Sequence, residues 1–241
     1  HIFFWEWLHR FWGRLIGLVY GVPLLYFWIS KKIPQGYGWR FAAMLFLGGT
    51  QGVIGWWMVK SGLIDQPDVS HFRLATHLGV AFIIFGLLCA LLYRYKNNKS
   101  ADVSVLKMGC LCAVFMTLLW GAFVAGLEAG RLYNMFPHMR EGSFLPDTDF
   151  SFYAVFHDHG WVQFTHRWLA KVTAVLLLIL AYRTRSLLLA AMVFIQVGLG
   201  ITALLTVLWI PAAALHQAGA FIVLLLVVRS FYTESAVAKA Q

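Results

Sequence analysis

Residues Phe4 to Tyr26, FWEWLHRFWGRLIGLVYGVPLLY, decide the fold of this chain. The stretch is long and apolar enough for a helix that crosses a membrane, yet Glu6, His9 and Arg10 stand at its amino-terminal end. Steps of four residues from His9 reach a glycine at each turn as far as Gly21. Because such residues share one face of a helix, the surface below the imidazole is smooth enough for a flat ligand.

The same arrangement occurs at the start of three other apolar runs. The pairs are His77 with Ala81, His166 with Ala170, and His216 with Ala220. In each pair a small residue one turn below the imidazole leaves room for whatever the ring binds. Four histidines in one pattern predict a shared binding role.

Composition excludes an ordinary soluble domain. The chain has 241 residues, of which 61% are hydrophobic and 12% charged, and its mean hydropathy is +0.73. Seven apolar runs are long enough to cross a bilayer. They lie near residues 8–30, 41–60, 74–93, 106–127, 166–182, 187–209 and 212–232. The sequence therefore predicts an all-α, polytopic membrane protein.

Basic residues predict the orientation. More than half of the 19 Lys and Arg fall in loops 31–40, 94–107 and 183–186 and in the tail from Arg229. By the positive-inside rule these segments face the cytoplasm or the mitochondrial matrix. The four histidines then lie toward the periplasm or the intermembrane space, in a bacterial cell membrane or a mitochondrial inner membrane. Scattered basic residues do not indicate a nucleic-acid partner.

The two halves of the chain resemble each other. HRFWGRLIGL matches HRWLAKVTAV, QGVIGWWMVKSGL matches QVGLGITALLTVL, and HLGVAFIIFGLL matches HQAGAFIVLLLV. This repeat predicts two pseudo-symmetric helical bundles, residues 1–105 and 106–241. The first half lacks a counterpart to the helix before His166, so we expect the chain to be part of a longer protein with an additional first helix.

Some polar residues permit two interpretations. Gln51 and Gln196 are either interhelical hydrogen-bonding residues or ligand-facing groups. His157 and His159, in the long segment between the fourth and fifth runs, are either solvated loop residues or part of a metal site. The three cysteines lie inside helices and are typical of core residues.

Histidines at the same ends of neighbouring helices can ligate one iron from opposite sides. We expect two facing pairs, His9 with His77 and His166 with His216, each forming a haem site. Haem propionates require cations. The candidates are Arg10, Arg73, Arg131 and Arg167.

An acid distinguishes the two halves. Glu6 stands three residues before His9, whereas Gln163 stands three residues before His166. A carboxylate beside one haem alone suggests proton transfer or charge stabilisation, which electron transfer does not require. The alternative is a surface ion pair between Glu6 and Arg10.

Six motifs in this order resemble the haem A synthase family. They are EWLHRFWGRLIGLVYGVP, QGVIGWWMVKSGL, FRLATHLG, GAFVAGLEAGRLYNMFPHM, VQFTHR and TALLTVLWIPAAALHQAGA. The resemblance covers nearly the whole chain and is nearest to the mitochondrial and proteobacterial branch, which lacks an outer-loop cysteine pair. It implies eight helices in two bundles, of which seven are visible in this sequence.

The resemblance also implies an activity. The family oxidises the C8 methyl group of haem O to a formyl group, with water as the oxygen source, giving haem A for cytochrome oxidase. Carried over by motif, His9 and His77 bind the substrate haem O, His166 and His216 ligate a haem b, and Glu6 is catalytic.

The implied partners are haem O synthase, cytochrome oxidase assembly factors and an unidentified electron-transfer partner. A homo-oligomer is also compatible with the sequence. Two other functions are compatible with histidine-bearing membrane helices. The first is a non-catalytic dihaem electron carrier. The second is a transporter built on the same repeat, which would require charged or broken helices near the membrane midplane, and the sequence places no charge in the middle of any predicted helix.

Overall fold

The computed structural model describes residues 2–61, 69–98 and 100–233. Its helices are α1 (Ile2–Ile29), α2 (Gly38–Val59), α3 (His71–Asn97), α4 (Val105–Gly126), α5 (Ala154–His157), α6 (His159–Thr184), α7 (Leu187–Leu205) and α8 (Ile210–Ser230), with a 3₁₀ turn at Ala129–Arg131. The end of the basic tail and the last two residues of QGVIGWWMVKSGL lie outside the described residues. No β-strand occurs in the described ranges, where Arg140 and Ser143 form an isolated bridge.

Seven of the described helices are long and apolar enough to span a membrane. The prediction of an all-α, polytopic membrane protein is therefore confirmed. The short α5 and the 3₁₀ turn lie between α4 and α6, in the long connecting segment. The predicted boundary between the two halves falls at the first residue of α4, Val105.

Several predicted helix ends were wrong. α1 begins at Ile2, six residues earlier than predicted, and α3 ends at Asn97, four residues later than predicted. α6 begins at His159, seven residues earlier than predicted, because the Asp158 side chain caps the helix by accepting a hydrogen bond from Trp161 N at 2.9 Å. α7 ends at Leu205, where the chain turns into α8. As a result His166 lies about two turns inside α6, not at its start. His9, His77 and His216 lie at a similar depth in α1, α3 and α8.

The hydrophobic core lies among α3, α4, α6, α7 and α8. At its centre Phe82 of α3 stacks on Phe221 of α8, with ring centres 4.0 Å apart and an interplanar angle of 16°. Cys89 and Cys110 belong to this core as free thiols, as the sequence predicted. The same prediction was wrong for Cys112, which is exposed. α3 thus joins the helices on either side of it, because it packs on α2, α4 and α8.

Polar contacts fasten the helix ends on the side opposite the histidines. Lys107, 4% exposed, donates from Nζ to Asp102 Oδ2 at 2.7 Å. Asn97 donates from Nδ2 to Tyr232 O at 3.1 Å. A buried ammonium requires such a partner. These bonds connect the ends of α3, α4 and α8.

Candidate haem-binding site

His9 of α1 and His77 of α3 lie next to each other. Their ring centres are 6.4 Å apart and their planes make an angle of 69°. Two metal–imidazole bonds of about 2 Å, with the distance from each ligating nitrogen to its ring centre, give roughly 6 Å between ring centres. The spacing therefore suits one metal ion between the two rings.

His166 of α6 and His216 of α8 are the other two histidines of the pattern. Nδ1 of His166 lies 3.2 Å from Thr117 O, and Nδ1 of His216 lies 3.1 Å from Gln196 O. A carbonyl oxygen can only accept, so each Nδ1 donates and each Nε2 keeps a free lone pair. This is the tautomer in which an imidazole ligates a metal through Nε2.

Three of the histidines lie against glycines of a neighbouring helix. A Cβ at Gly55 would be 3.0 Å from His77 Cε1, one at Gly121 would be 3.2 Å from His166 Cε1, and one at Gly200 would be 2.8 Å from His216 Cε1. Any side chain at these positions would press on an imidazole. The sequence analysis missed this role, because it did not connect any of these three glycines with a histidine.

Both glutamines contact the main chain of a histidine. Gln51 of α2 donates from Nε2 to His77 O at 2.6 Å, and Gln196 of α7 donates from Nε2 to His216 O at 2.9 Å. Of the two interpretations left open by the sequence, the structure shows interhelical hydrogen bonds. The contact is the same in both halves of the chain.

Glu6 and Gln163 occupy different environments. Glu6 accepts a hydrogen bond at 3.2 Å from Arg10, and the two side chains are 40% and 53% exposed, respectively. Gln163 is 2% exposed and donates from Nε2 to Tyr133 O at 3.1 Å. The ion pair that the sequence analysis named as the alternative for Glu6 is thus present, and an exposed pair of this kind contributes little stability.

Two other predicted arginines bond to main-chain carbonyls. Arg73 donates to Trp57 O at 2.8 Å and lies 4.6 Å from the centre of the Trp57 indole. Arg167 donates to three carbonyls of the segment after the 3₁₀ turn. These are Tyr133 O at 2.6 Å, Met135 O at 2.9 Å and His138 O at 3.0 Å. Arg167 therefore fastens this segment to α6, one residue beyond His166.

Tyr133 is the centre of a polar network in the same segment. Its carbonyl accepts from Gln163 and Arg167, and its hydroxyl donates to the carboxylate of Asp147. Burial raises the pKa of the Tyr133 hydroxyl, and the bond to Asp147 raises it further. The same bond lowers the pKa of Asp147. The network keeps the segment folded over the amino-terminal part of α6.

A cavity of about 750 Å³ opens where α3 and α6 begin and α4 ends. Arg131, the fourth predicted arginine, lines it together with His71 and His159, and its Nε lies 3.5 Å from Glu128 Oε2. His157 stacks on Tyr153 with ring centres 3.7 Å apart. Within the described ranges no three His, Cys, Asp or Glu side chains form a metal-binding group. The interpretation of His157 and His159 as a metal site therefore has no support.

Comparison with known proteins agrees with the geometry. The model of the family described as "Cytochrome oxidase assembly protein" matches residues 1–228. The chain belongs to this family. Curated relatives called "Heme A synthase" include one from Rhodospirillum centenum that is 41% identical over 92% of this chain and 64% of its own length. Another, from Maricaulis maris, is 40% identical over 96% of this chain and 73% of its own length.

Caulobacter vibrioides has a further relative of the same name, 42% identical over 92% of this chain and 71% of that protein. The resemblance found from the motifs is thus confirmed for the family. The chain spans just under two thirds of the Rhodospirillum centenum protein.

Proposed function

We propose that this protein is a haem A synthase, which oxidises the C8 methyl group of haem O to a formyl group and supplies haem A to cytochrome oxidase. One observation carries the proposal. The rings of His9 and His77 lie 6.4 Å apart, the rings of His77, His166 and His216 each lie against a glycine, and His166 and His216 both donate from Nδ1 to a carbonyl. Such an arrangement is suited to axial ligation of haem iron.

His166 and His216 are the proposed ligands of haem b. The donor set fits this group, because two neutral imidazoles with free Nε2 lone pairs are typical ligands of haem iron and the absence of a side chain at Gly121 and Gly200 leaves space for the two rings. When bound, haem b supplies one-electron redox chemistry. Arg167 and Arg131 are proposed as cofactor-binding residues. Arg167 contributes by holding residues 133–138 against α6.

His9 and His77 are the proposed ligands of the substrate, haem O. Their 6.4 Å spacing suits one iron, and a Cβ at Gly13 or Gly17 would meet no atom within 4 Å. The surface below His9 is therefore open to a flat ring. Arg10 and Arg73 lie beside this pair in sequence, and we propose them as propionate partners.

Glu6 is the proposed catalytic residue. Conversion of the methyl to the formyl group adds the oxygen atom of water and removes electrons and protons in equal number. The Glu6 carboxylate, half-exposed one turn before His9, can accept such protons, and it also accepts a hydrogen bond from Arg10 at 3.2 Å. An electron-transfer partner must accept the electrons.

The proposal includes the arrangement of the protein in the membrane. Residues 1–105 form the substrate-haem bundle and residues 106–241 the haem b bundle, with the histidines toward the periplasm or the intermembrane space. Haem O synthase and cytochrome oxidase assembly factors are the proposed partners in the bilayer. The amino ends of α3 and α6 line the cavity described above, which supports a common side for His77 and His166.

The second candidate is a non-catalytic dihaem electron carrier. The exposed ion pair between Glu6 and Arg10 favours it, because a carrier needs no free acid at this position. The test is to produce the wild-type chain, a Glu6→Gln variant and a Glu141→Gln control in a host that makes haem O but lacks its own haem A synthase. Glu141 is an exposed loop carboxylate.

Pyridine haemochrome analysis of the purified proteins separates haems b, O and A. We expect haem A in the wild type and the Glu141→Gln control, and only haems b and O in the Glu6→Gln variant. Haems b and O in all three proteins, with no haem A, would favour the carrier. Absence of haem from the wild type would refute both functions.

A further inference from the structure

A repeated pair of one glutamine and one glycine contacts a histidine in each half of the chain. In α2 the pair is Gln51 and Gly55, and in α7 it is Gln196 and Gly200. The glutamine and the glycine are four residues apart and therefore lie on the same helix face. The glutamine amide reaches the carbonyl of the histidine while the glycine contacts its ring.

We infer that Gln51 and Gln196 are positioning residues, which fix the orientation of the His77 and His216 imidazoles toward the bound iron. The inference rests on the proposed function, since it assumes that these histidines ligate haem. Neither glutamine touches the haem in this interpretation. Each acts through the helix backbone of the histidine that it bonds.

The hydrogen-bond pattern supports more than packing. A carbonyl inside a helix already accepts a bond from the amide four residues later, and its second lone pair is free for another donor. Gln51 Nε2 at 2.6 Å and Gln196 Nε2 at 2.9 Å occupy this second position. The bond therefore ties the residue that carries the imidazole directly to the neighbouring helix.

Both amide oxygens are buried without a hydrogen-bond partner among the described residues. Burying an unpaired oxygen costs free energy, and an apolar side chain of similar length would fill the same space without this cost. The free-energy cost of a buried, unpaired amide oxygen therefore occurs at equivalent positions in both halves. A requirement for the NH₂ donor of the same amide explains why glutamine is present there.

In the second half, a glycine on α8 leaves space for the side chain of Gln196. Gly219 stands three residues after His216, and a Cβ there would overlap Oε1 of Gln196. Gln196 also presents its main-chain oxygen to His216 Nδ1 at 3.1 Å. α7 therefore holds His216 at its carbonyl, its Nδ1 and its ring. In the first half Nδ1 of His77 is buried without a partner in the described ranges, so α2 holds His77 only at its carbonyl and its ring.

The test uses Gln→Met substitutions, which keep the length of the side chain and remove the amide. The controls are Thr206→Val for Gln196→Met and Thr50→Val for Gln51→Met. The Thr206 hydroxyl bonds to Thr202 O or Ala203 O and the Thr50 hydroxyl to Leu47 O, so among the described residues each bonds to its own helix. Each protein is purified with haem. Haem retention, the low-spin ferric EPR signal and the thermal midpoint are then measured.

We expect Gln196→Met to retain haem at the second site about 10- to 100-fold less tightly and to shift the EPR signal of that site alone. Gln51→Met should do the same at the first site. The EPR signal reports the relative orientation of the two imidazole planes, which a merely structural bond would leave unchanged. Unchanged EPR signals and haem retention, with a lower thermal midpoint only, would overturn the inference.

Gly219→Ala provides a second test of the same inference if the Gln196→Met protein does not fold. It leaves Gln196 in place and displaces its amide, so we expect the same EPR shift at the second site. No shift in this variant would also contradict the inference. A wild-type protein whose haem gives no bis-histidine signal would instead refute the proposed function, and this outcome is distinct from the others.

Discussion

Gly200 lies directly against the imidazole of His216, where a Cβ would be only 2.8 Å from Cε1. Gly198, two residues earlier on the same helix, has no atom within 4 Å of such a Cβ. The two glycines therefore differ in the space around them, although they are two residues apart in one apolar run. This difference allows a matched pair of substitutions.

Gly200→Ala should displace the His216 ring from its bond to Gln196 O and weaken haem binding at the second site. Overpacking of this kind costs about 1–3 kcal/mol. Gly198→Ala should leave haem content unchanged and raise stability by up to about 1 kcal/mol, because alanine favours the helix. Haem per protein and the thermal midpoint are the measurements. Equal behaviour of the two variants would contradict the proposed contact.

Gln163→Glu should destabilise the protein. The substitution replaces a donor by a carboxylate oxygen beside Tyr133 O, at a position that is 2% exposed. Loss of a buried hydrogen bond with an unpaired group left behind costs roughly 1–3 kcal/mol. The reverse exchange, Glu6→Gln, removes an exposed ion pair and should cost less than about 1 kcal/mol. Thermal midpoints in detergent compare the two, and a larger loss for Glu6→Gln would be inconsistent with the structure.

Arg167→Lys should loosen residues 133–138. A lysine keeps the charge but lacks the planar fork that allows Arg167 to bond three carbonyls at once. We expect faster amide hydrogen exchange in this segment. Arg183→Lys, at an exposed position on the same helix, is the control and should not alter exchange there. Equal exchange rates in the two variants would mean that the three bonds do not hold the segment.

The stability of the same segment should depend on pH through Asp147. The Tyr133 hydroxyl lowers the pKa of this carboxyl. A lowered pKa contributes stability that is fully present above the ordinary value of about 4 and is lost as the pH falls through the lowered value. The pKa of Tyr133 is raised, so the hydroxyl contributes below its ordinary value of about 10, and this contribution is lost as the pH rises through the raised value.

Limited proteolysis of the 129–158 segment at a series of pH values measures this dependence. We expect protection across the neutral range and faster cleavage at the acid end. Tyr133→Phe removes the bond and should abolish the difference between neutral and acid pH. A variant that keeps the full pH dependence would show that another group is responsible.

Hydrophobic runs predicted the seven membrane-spanning helices correctly, because length and apolarity decide whether a segment can cross a bilayer. They placed the start of α6 seven residues too late, because its first two turns carry polar side chains that interrupt the run. Asp158 was the available signal, since aspartate is a preferred N-cap residue. The apolar pattern thus locates a helix better than it locates the ends of that helix.

The histidines were found from sequence because each precedes a small residue by one turn. Gly55, Gly121 and Gly200 were not recognised as their contacts, since such contacts join residues far apart in the chain and depend on how the helices rotate against each other. The four-residue spacing of Gln51 and Gly55, repeated by Gln196 and Gly200, was the one local signal. No signal in the sequence indicated the hydrogen bonds of Arg167, because every residue has a main-chain carbonyl.

His166 and Arg167 are consecutive, so a single turn of α6 carries both a proposed iron ligand and the fastening of the extramembrane segment. Any rotation of that turn moves both. By linkage, any effect of segment docking on ligand binding at His166 is matched by an equal effect of ligand binding on segment docking. A protein that docks on this segment would then affect the proposed haem b site without contacting it.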